Sequence, residues 1–175
     1  MRLKHTLALV ALLLTTATAT PKAPNWHLTW SDEFNAPSGT PPDPKKWSFE
    51  QGGKGFGNKE LETYTSRPTN AEQRDGNLVI TAQKEDYTGT DGIARNYTSA
   101  RIRTKGLFSL AYGRFEARVQ LPLGKGIWPA FWMLGDDIDT AHWPACGEID
   151  IFESIGEPSI IHKAVPSLVL NESWR

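Results

Sequence analysis

Arg114-Phe115-Glu116-Ala117-Arg118-Val119-Gln120-Leu121 is the stretch that decides the fold class. Phe115, Ala117, Val119 and Leu121 alternate with Arg114, Glu116, Arg118 and Gln120 without a mismatch. A period of two sends neighbouring side chains to opposite faces, so the segment is expected to be a β-strand with one face in a core and one in water. Outward from it, the turn pair Asp75-Gly76 opens a second run, in which Leu78, Ile80 and Ala82 alternate with Asn77, Val79, Thr81 and Gln83. Further short candidates lie at 26–30, 61–65, 100–105, 129–134 and 147–153, separated by Pro- and Gly-rich loops at 37–44 and 52–58. No segment sustains a helical period, and the expectation is an all-β, antiparallel β-sandwich in one domain.

Composition narrows the function. With 19 Lys plus Arg against 20 Asp plus Glu the formal net charge is -1, which gives no basic surface for a nucleic acid partner. Hydrophobic residues at 39% and charged residues at 22% exclude a disordered chain and suffice for one core. The single cysteine, Cys146, excludes an intrachain disulfide and a cysteine zinc cluster, and is read as a small buried residue. Arg2, Lys4 and His5, an apolar stretch to Leu14, and Ala17-Thr18-Ala19 form the pattern of a signal peptide over residues 1–19. The expectation is a secreted protein, extracellular or periplasmic. The apolar stretch is well short of the ~20 residues a spanning helix needs, so no membrane partner is expected after its removal.

Glu148-Ile149-Asp150-Ile151-Phe152-Glu153 carries the chemistry. In a regular strand Glu148 and Asp150 share a face and Glu153 takes the other. A β-bulge at Ile151-Phe152 returns Glu153 to the acidic face, and a functional reading requires it. With the bulge, the two Glu backbones stand roughly 13 Å apart, and side chains leaning together can reach the ~5–5.5 Å carboxyl separation of retaining glycosidases. These residues alone leave three readings open: a catalytic carboxylate pair, a calcium site, or a solvated acidic face. Trp128 and Trp132 fall on one side of the preceding run and offer flat rings to a sugar.

The chain resembles glycoside hydrolase family 16, particularly its laminarinase-like endo-β-1,3-glucanases. The likeness runs over roughly residues 28–161. It includes Trp30-Ser31-Asp32-Glu33-Phe34, Gly57-Asn58-Lys59-Glu60-Leu61, Ser99-Ala100-Arg101-Ile102, Tyr112-Gly113-Arg114-Phe115-Glu116, Trp128-Pro129-Ala130-Phe131-Trp132 and the longer, bulged acidic signature. Licheninase-type members are one residue shorter there. The resemblance implies a concanavalin-like jelly roll and retaining hydrolysis, with Glu148 as nucleophile, Asp150 assisting and Glu153 as general acid and then base. It also implies Trp128 and Trp132 lining the substrate groove, with Asn58, Glu60 and Arg101 near it. It implies a β-1,3- or mixed β-1,3-1,4-glucan as partner, a monomer, no cofactor for the chemistry, and in some members a structural calcium near Glu33. A galactan hydrolase of the same family and a non-catalytic sugar-binding sandwich are the rival readings.

On this resemblance residues 20–162 are expected to be the N-terminal portion of a catalytic domain, and 163–175 resembles nothing in the family. A frameshift, premature stop or gene-model error is expected there. Absent C-terminal strands would leave backbone groups unpaired and apolar faces uncovered, so an unstable or inactive product is expected. Asn96-Tyr97-Thr98 and Asn171-Glu172-Ser173 match the glycosylation acceptor pattern.

Overall fold

The computed structural model describes residues 25–155 and the backbone of 162–164. The expected signal peptide, most of the 163–175 tail and the acceptor pattern at Asn171 lie outside the described residues. The chain divides into Met1–Ser31 and Asp32–Arg175. In the first unit, residues 25–30 form no strand and Leu28 is 84% exposed, so the alternation at 26–30 does not become a ladder.

The second unit is nearly all β. Its strands are β1 (Ser48–Glu50), β2 (Thr63–Tyr64), β3 (Ala71–Arg74), β4 (Asn77–Ile80), β5 (Gln83–Thr88), β6 (Ala94–Ser99), β7 (Arg101–Arg103), β8 (Ala130–Leu134), β9 (Glu148–Glu153) and β10 (His162–Ala164). One α-helical turn, α1 (Ile138–Ala141), and a 3-10 turn, Gly55–Gly57, interrupt them. The strands group as β1-β7, β3-β4, β2-β6-β5 and β10-β9-β8. All pairs are antiparallel except β2 with β6, which is parallel. Asp75 and Gly76, with φ of 51° and 71°, make the two-residue turn between β3 and β4 that suits right-twisted strands.

Residues 114–121 depart from expectation. They form no ladder among the described residues, and all of them except Phe115 and Leu121 are exposed. Alternation sorts side chains by face, but a strand also needs a neighbour to take its N–H and C=O groups.

Among the described residues the most enclosed cluster is a polar one. Among the described residues the buried hydrophobics are Ala71, Ala100 and Cys146, whereas Asn70, Thr63, Thr98 and Pro42 are the largest fully buried side chains. Asn70 is the hub. Its Oδ1 accepts from Thr65 Oγ1 at 2.5 Å and Arg67 Nη2 at 2.9 Å, and its Nδ2 donates to Thr98 Oγ1 at 3.0 Å and the Thr81 carbonyl at 3.1 Å. Arg67 pairs with Glu85 and lies 4.4 Å over the Tyr87 ring. No buried side-chain polar atom among the described residues lacks a partner, which is what keeps this polar cluster from being destabilising.

Candidate active site

The pairing of β8 with β9 places the acids. Leu134 faces Glu148, Trp132 faces Asp150 and Ala130 faces Glu153, while Met133 faces Ile149 and Phe131 faces Phe152. Directly opposed residues share a face, so Glu148, Asp150 and Glu153 lie together with Leu134, Trp132 and Ala130. Ile151 has no partner on β8, which makes it the extra residue of a bulge. On the other side, β10 pairs His162 with Glu153 and Ala164 with Asp150, again spanning one residue fewer. Both neighbours of β9 therefore see the same irregularity, at the position the acidic pattern required. The Phe131 and Phe152 rings, 6.4 Å apart, mark the opposite face.

The tryptophans join this face as the alternation suggested. Trp128 Nε1 donates to Glu153 Oε2 at 2.9 Å. Trp132 stacks under the Arg101 guanidinium, 4.7 Å from its ring centroid, and Phe56 lies 4.8 Å from the same guanidinium. Glu50 on β1 holds Arg101 and Arg103 by ion pairs, which fixes Arg101 across two rings. Glu60 accepts from Tyr64 Oη at 2.6 Å, and Tyr64 meets Phe56 edge-on at 5.0 Å, so Glu60 reaches Arg101 through two aromatic rings. Burial, followed by the Glu60 contact, keeps the Tyr64 phenol protonated far above its ordinary range. Asn58 is exposed just after the 3-10 turn, where its backbone N–H donates to the Gly55 carbonyl at 2.7 Å.

The electrostatics separate the acids. Burial first, and then the Asp150 charge, raise Glu148 above the usual carboxylate range; a hydrogen bond from Trp143 and the charge of Arg101 pull it back. Asp150 is raised too, by burial and then by Glu153. The three acids thus stand close enough to repel one another when ionised. Two contributors were not named as site residues from sequence: Trp143, which approaches Glu148, and Glu50, the anchor of Arg101. Trp143 carried a signal, an aromatic beside the acids, whereas Glu50 carried none.

Among the described residues no three His, Cys, Asp or Glu side chains converge to hold an ion, and Glu33 is exposed. Neighbouring Asp32 is committed elsewhere, accepting from Trp47 Nε1 at 2.9 Å and pairing with Lys46 at 3.5 Å. Cys146 is buried, as expected, and burial raises its thiol. Its carbonyl lies so near Gly135, at the end of β8, that a Cβ there would overlap it.

The beta-glucanase of Rhodothermus marinus is 49% identical over 154 residues, covering 86% of this chain and 51% of that protein. A glucan endo-1,3-beta-glucosidase of Cryptopygus antarcticus is 45% identical over 133 residues, covering 75% of this chain and 47% of its own length. The X-ray structure of the laminarinase from Rhodothermus marinus superposes with a TM-score of 0.73 at 48% identity, covering 81% of this chain and 55% of that one. The chain thus spans about half the length of the relatives it matches, and over that span it shares their jelly-roll β-sandwich fold. Residues 59–162 match the family described as "XgeA-like, catalytic GH16 domain", and the chain belongs to glycoside hydrolase family 16.

Proposed function

We propose that the chain serves a secreted, retaining glycosidase that cuts β-1,3-glucan, or mixed β-1,3-1,4-glucan, within the polymer. The observation that carries this reading is the β9 bulge, because it sets two glutamates and an aspartate on one face beside Trp128 and Trp132. Glu148 attacks the anomeric carbon while Glu153 gives its proton to the departing glycosidic oxygen. A covalent glycosyl-enzyme results, and Glu153 then takes a proton from the water that hydrolyses it, so the configuration is retained. Asp150 steadies the Glu148 carboxylate, and the Arg101 charge favours its ionised form. Trp128, hydrogen-bonded to Glu153, orients that carboxyl toward the leaving group. The names of the relatives in the comparisons support the glucan as substrate. The N-terminal pattern at residues 2–19 supports export.

The test is laminarin digestion followed by proton NMR of the first products, with agarose as a parallel substrate. Initial products with the β configuration are expected, and Glu148→Gln or Glu153→Gln should each lower turnover by ~10²–10⁴-fold. Products first appearing as the α anomer, or Glu148→Gln with unchanged turnover, would overturn the assignment. N-terminal sequencing of protein recovered from the medium checks export, which requires a new terminus near Ala19.

A further inference from the structure

We propose that Glu50 is a positioning residue, which tethers the Arg101 guanidinium on the ring of Trp132 and so keeps it from pairing with Glu148. Its use rests on the reading of Glu148 as nucleophile, since Arg101 then lends that carboxylate its charge without tying up the oxygen that attacks. Strand register makes the tether. Glu50 on β1 directly opposes Arg101 on β7, and Ser48 opposes Arg103. Opposed residues share a face, and the residue two further along is reached on the diagonal. The Glu50 carboxylate uses both neighbours: Oε2 pairs with Arg101 Nε, and Oε1 lies 2.5 Å from Arg103 Nη1. The Glu50 and Arg101 side chains are only 18% and 22% exposed, so water screens their pair less than it screens a surface pair.

A tether is needed because a stronger attraction lies beside it. Trp132 opposes Asp150, so a guanidinium on its ring stands next to the face that carries Glu148, Asp150 and Glu153. Three acids draw a cation more strongly than one glutamate does. The ion pair that Arg101 makes is nevertheless with Glu50, and its charge is the last and smallest of the influences on Glu148. A guanidinium bound directly to a carboxylate occupies its lone pairs, whereas one held nearby favours the ionised form and leaves the oxygens open.

Phe56 strengthens the hold. Its φ of 39° lies in the left-handed region, where a bulky side chain is an outlier, and such strain persists only where the surroundings fix it. That backbone carries the ring to within 4.8 Å of the guanidinium, so Arg101 is held by a carboxylate and two aromatic rings at once. The other groups around Glu148 are constant in this arrangement. Asp150 and Glu153 lie on its own strand, Trp143 and Cys146 on the segment before it, Leu134 and Trp132 on β8, and on β10 His162 opposes Glu153.

The experiment is a carbon-13 NMR titration of the full chain labelled at the glutamate carboxyl carbons, with Glu148→Gln assigning the Glu148 signal and no substrate required. Glu50→Gln keeps the size of the side chain and removes the charge that holds Arg101. Loss of that charge and approach of the guanidinium both favour ionised Glu148, so its midpoint should fall by ~0.5 pH unit. Arg101→Gln should raise the midpoint, and in that background Glu50→Gln should move it by less than half as much. On laminarin, Glu50→Gln should lower kcat about tenfold and move the acid limb of kcat/KM in step with the NMR midpoint, which a packing defect alone does not do. Expected midpoints in a chain without laminarin turnover would support the tether and count against the glucanase reading. An unmoved or raised midpoint in Glu50→Gln, a lowered one in Arg101→Gln, equal shifts in the two backgrounds, or an unchanged kcat in an active chain would each overturn the proposal.

Discussion

Deleting Ile151 should leave the acidic face intact, whereas deleting Ile149 from the same strand should destroy it. The reasoning follows from the register. Ala130, Trp132 and Leu134 are evenly spaced on β8, and they already oppose Glu153, Asp150 and Glu148. Without Ile151, β9 becomes a regular strand in which every surviving residue keeps its present partner, Phe152 opposite Phe131 included. Without Ile149, Glu148 and Asp150 become neighbours and must point to opposite faces, so at least one acid leaves the site. Both deletions remove one half-buried isoleucine, worth ~1–2 kcal/mol of stability each, which matches the two variants for packing. Only the placement of the acids differs. Loss of an acid that takes part in proton transfer costs ~10²–10⁴-fold, or ~2.7–5.5 kcal/mol of barrier. The bulge-free strand should stay within about tenfold of the parent, ~1.4 kcal/mol. Reducing-sugar release from laminarin, normalised to folded protein by circular dichroism, measures both. Equal loss of activity in two folded deletion variants would refute the register argument.

Asn70→Ala should destabilise the chain by ~2 kcal/mol, because it strands the buried Thr65 hydroxyl and the part-buried Thr81 carbonyl; a urea midpoint that implies less than ~1 kcal/mol would deny Asn70 its role as hub. Gly135→Ala forces a methyl group against the Cys146 backbone and should cost ~1–3 kcal/mol in thermal unfolding, and an unchanged melting temperature would contradict that close approach. Asp150 and Glu148 are both raised above ordinary carboxylates, so the folded state binds their protons more tightly, and the stability they contribute is lost as pH rises through the raised values. Asp150→Asn should therefore raise the melting temperature at pH ~7, and the gain should vanish below the ordinary carboxylate pKa of ~4. An equal gain at both pH values would point to a cause other than charge.

The acidic strand was legible because its constraint is local: acids that must share a face, spaced as these are, require one extra residue, and β9 contains it. The turn at Asp75-Gly76 was legible for a similar reason, since few residues accept positive φ twice in succession. Strands β5 and β6 were not. Lys84, Glu85 and Asp86 place charges on both faces, and exposure still alternates along β5, but no hydrophobic contrast reports it. The polar cluster around Asn70 escaped for a related reason: Asn70, Thr63 and Thr98 read as surface residues until their partners, distant in sequence, are known. Residues 114–121 show the converse, a perfect alternation whose pairing depends on a neighbour that no local pattern specifies. Asn58 and Arg101 were read with equal weight, yet only Arg101 touches an aromatic ring of the site, and nothing in either residue's local pattern distinguishes them.

Arg101 also governs how Trp132 can be used. With a guanidinium held on one side of the indole, a sugar could stack only on the other, and the cation draws π density away from it. Such a ring aligns a sugar more than it grips it. In the proposed cleavage within a polymer, weak holding at the platform would keep ground-state affinity low and let the shortened chain depart, so the Glu50–Arg101 pair would favour throughput over retention.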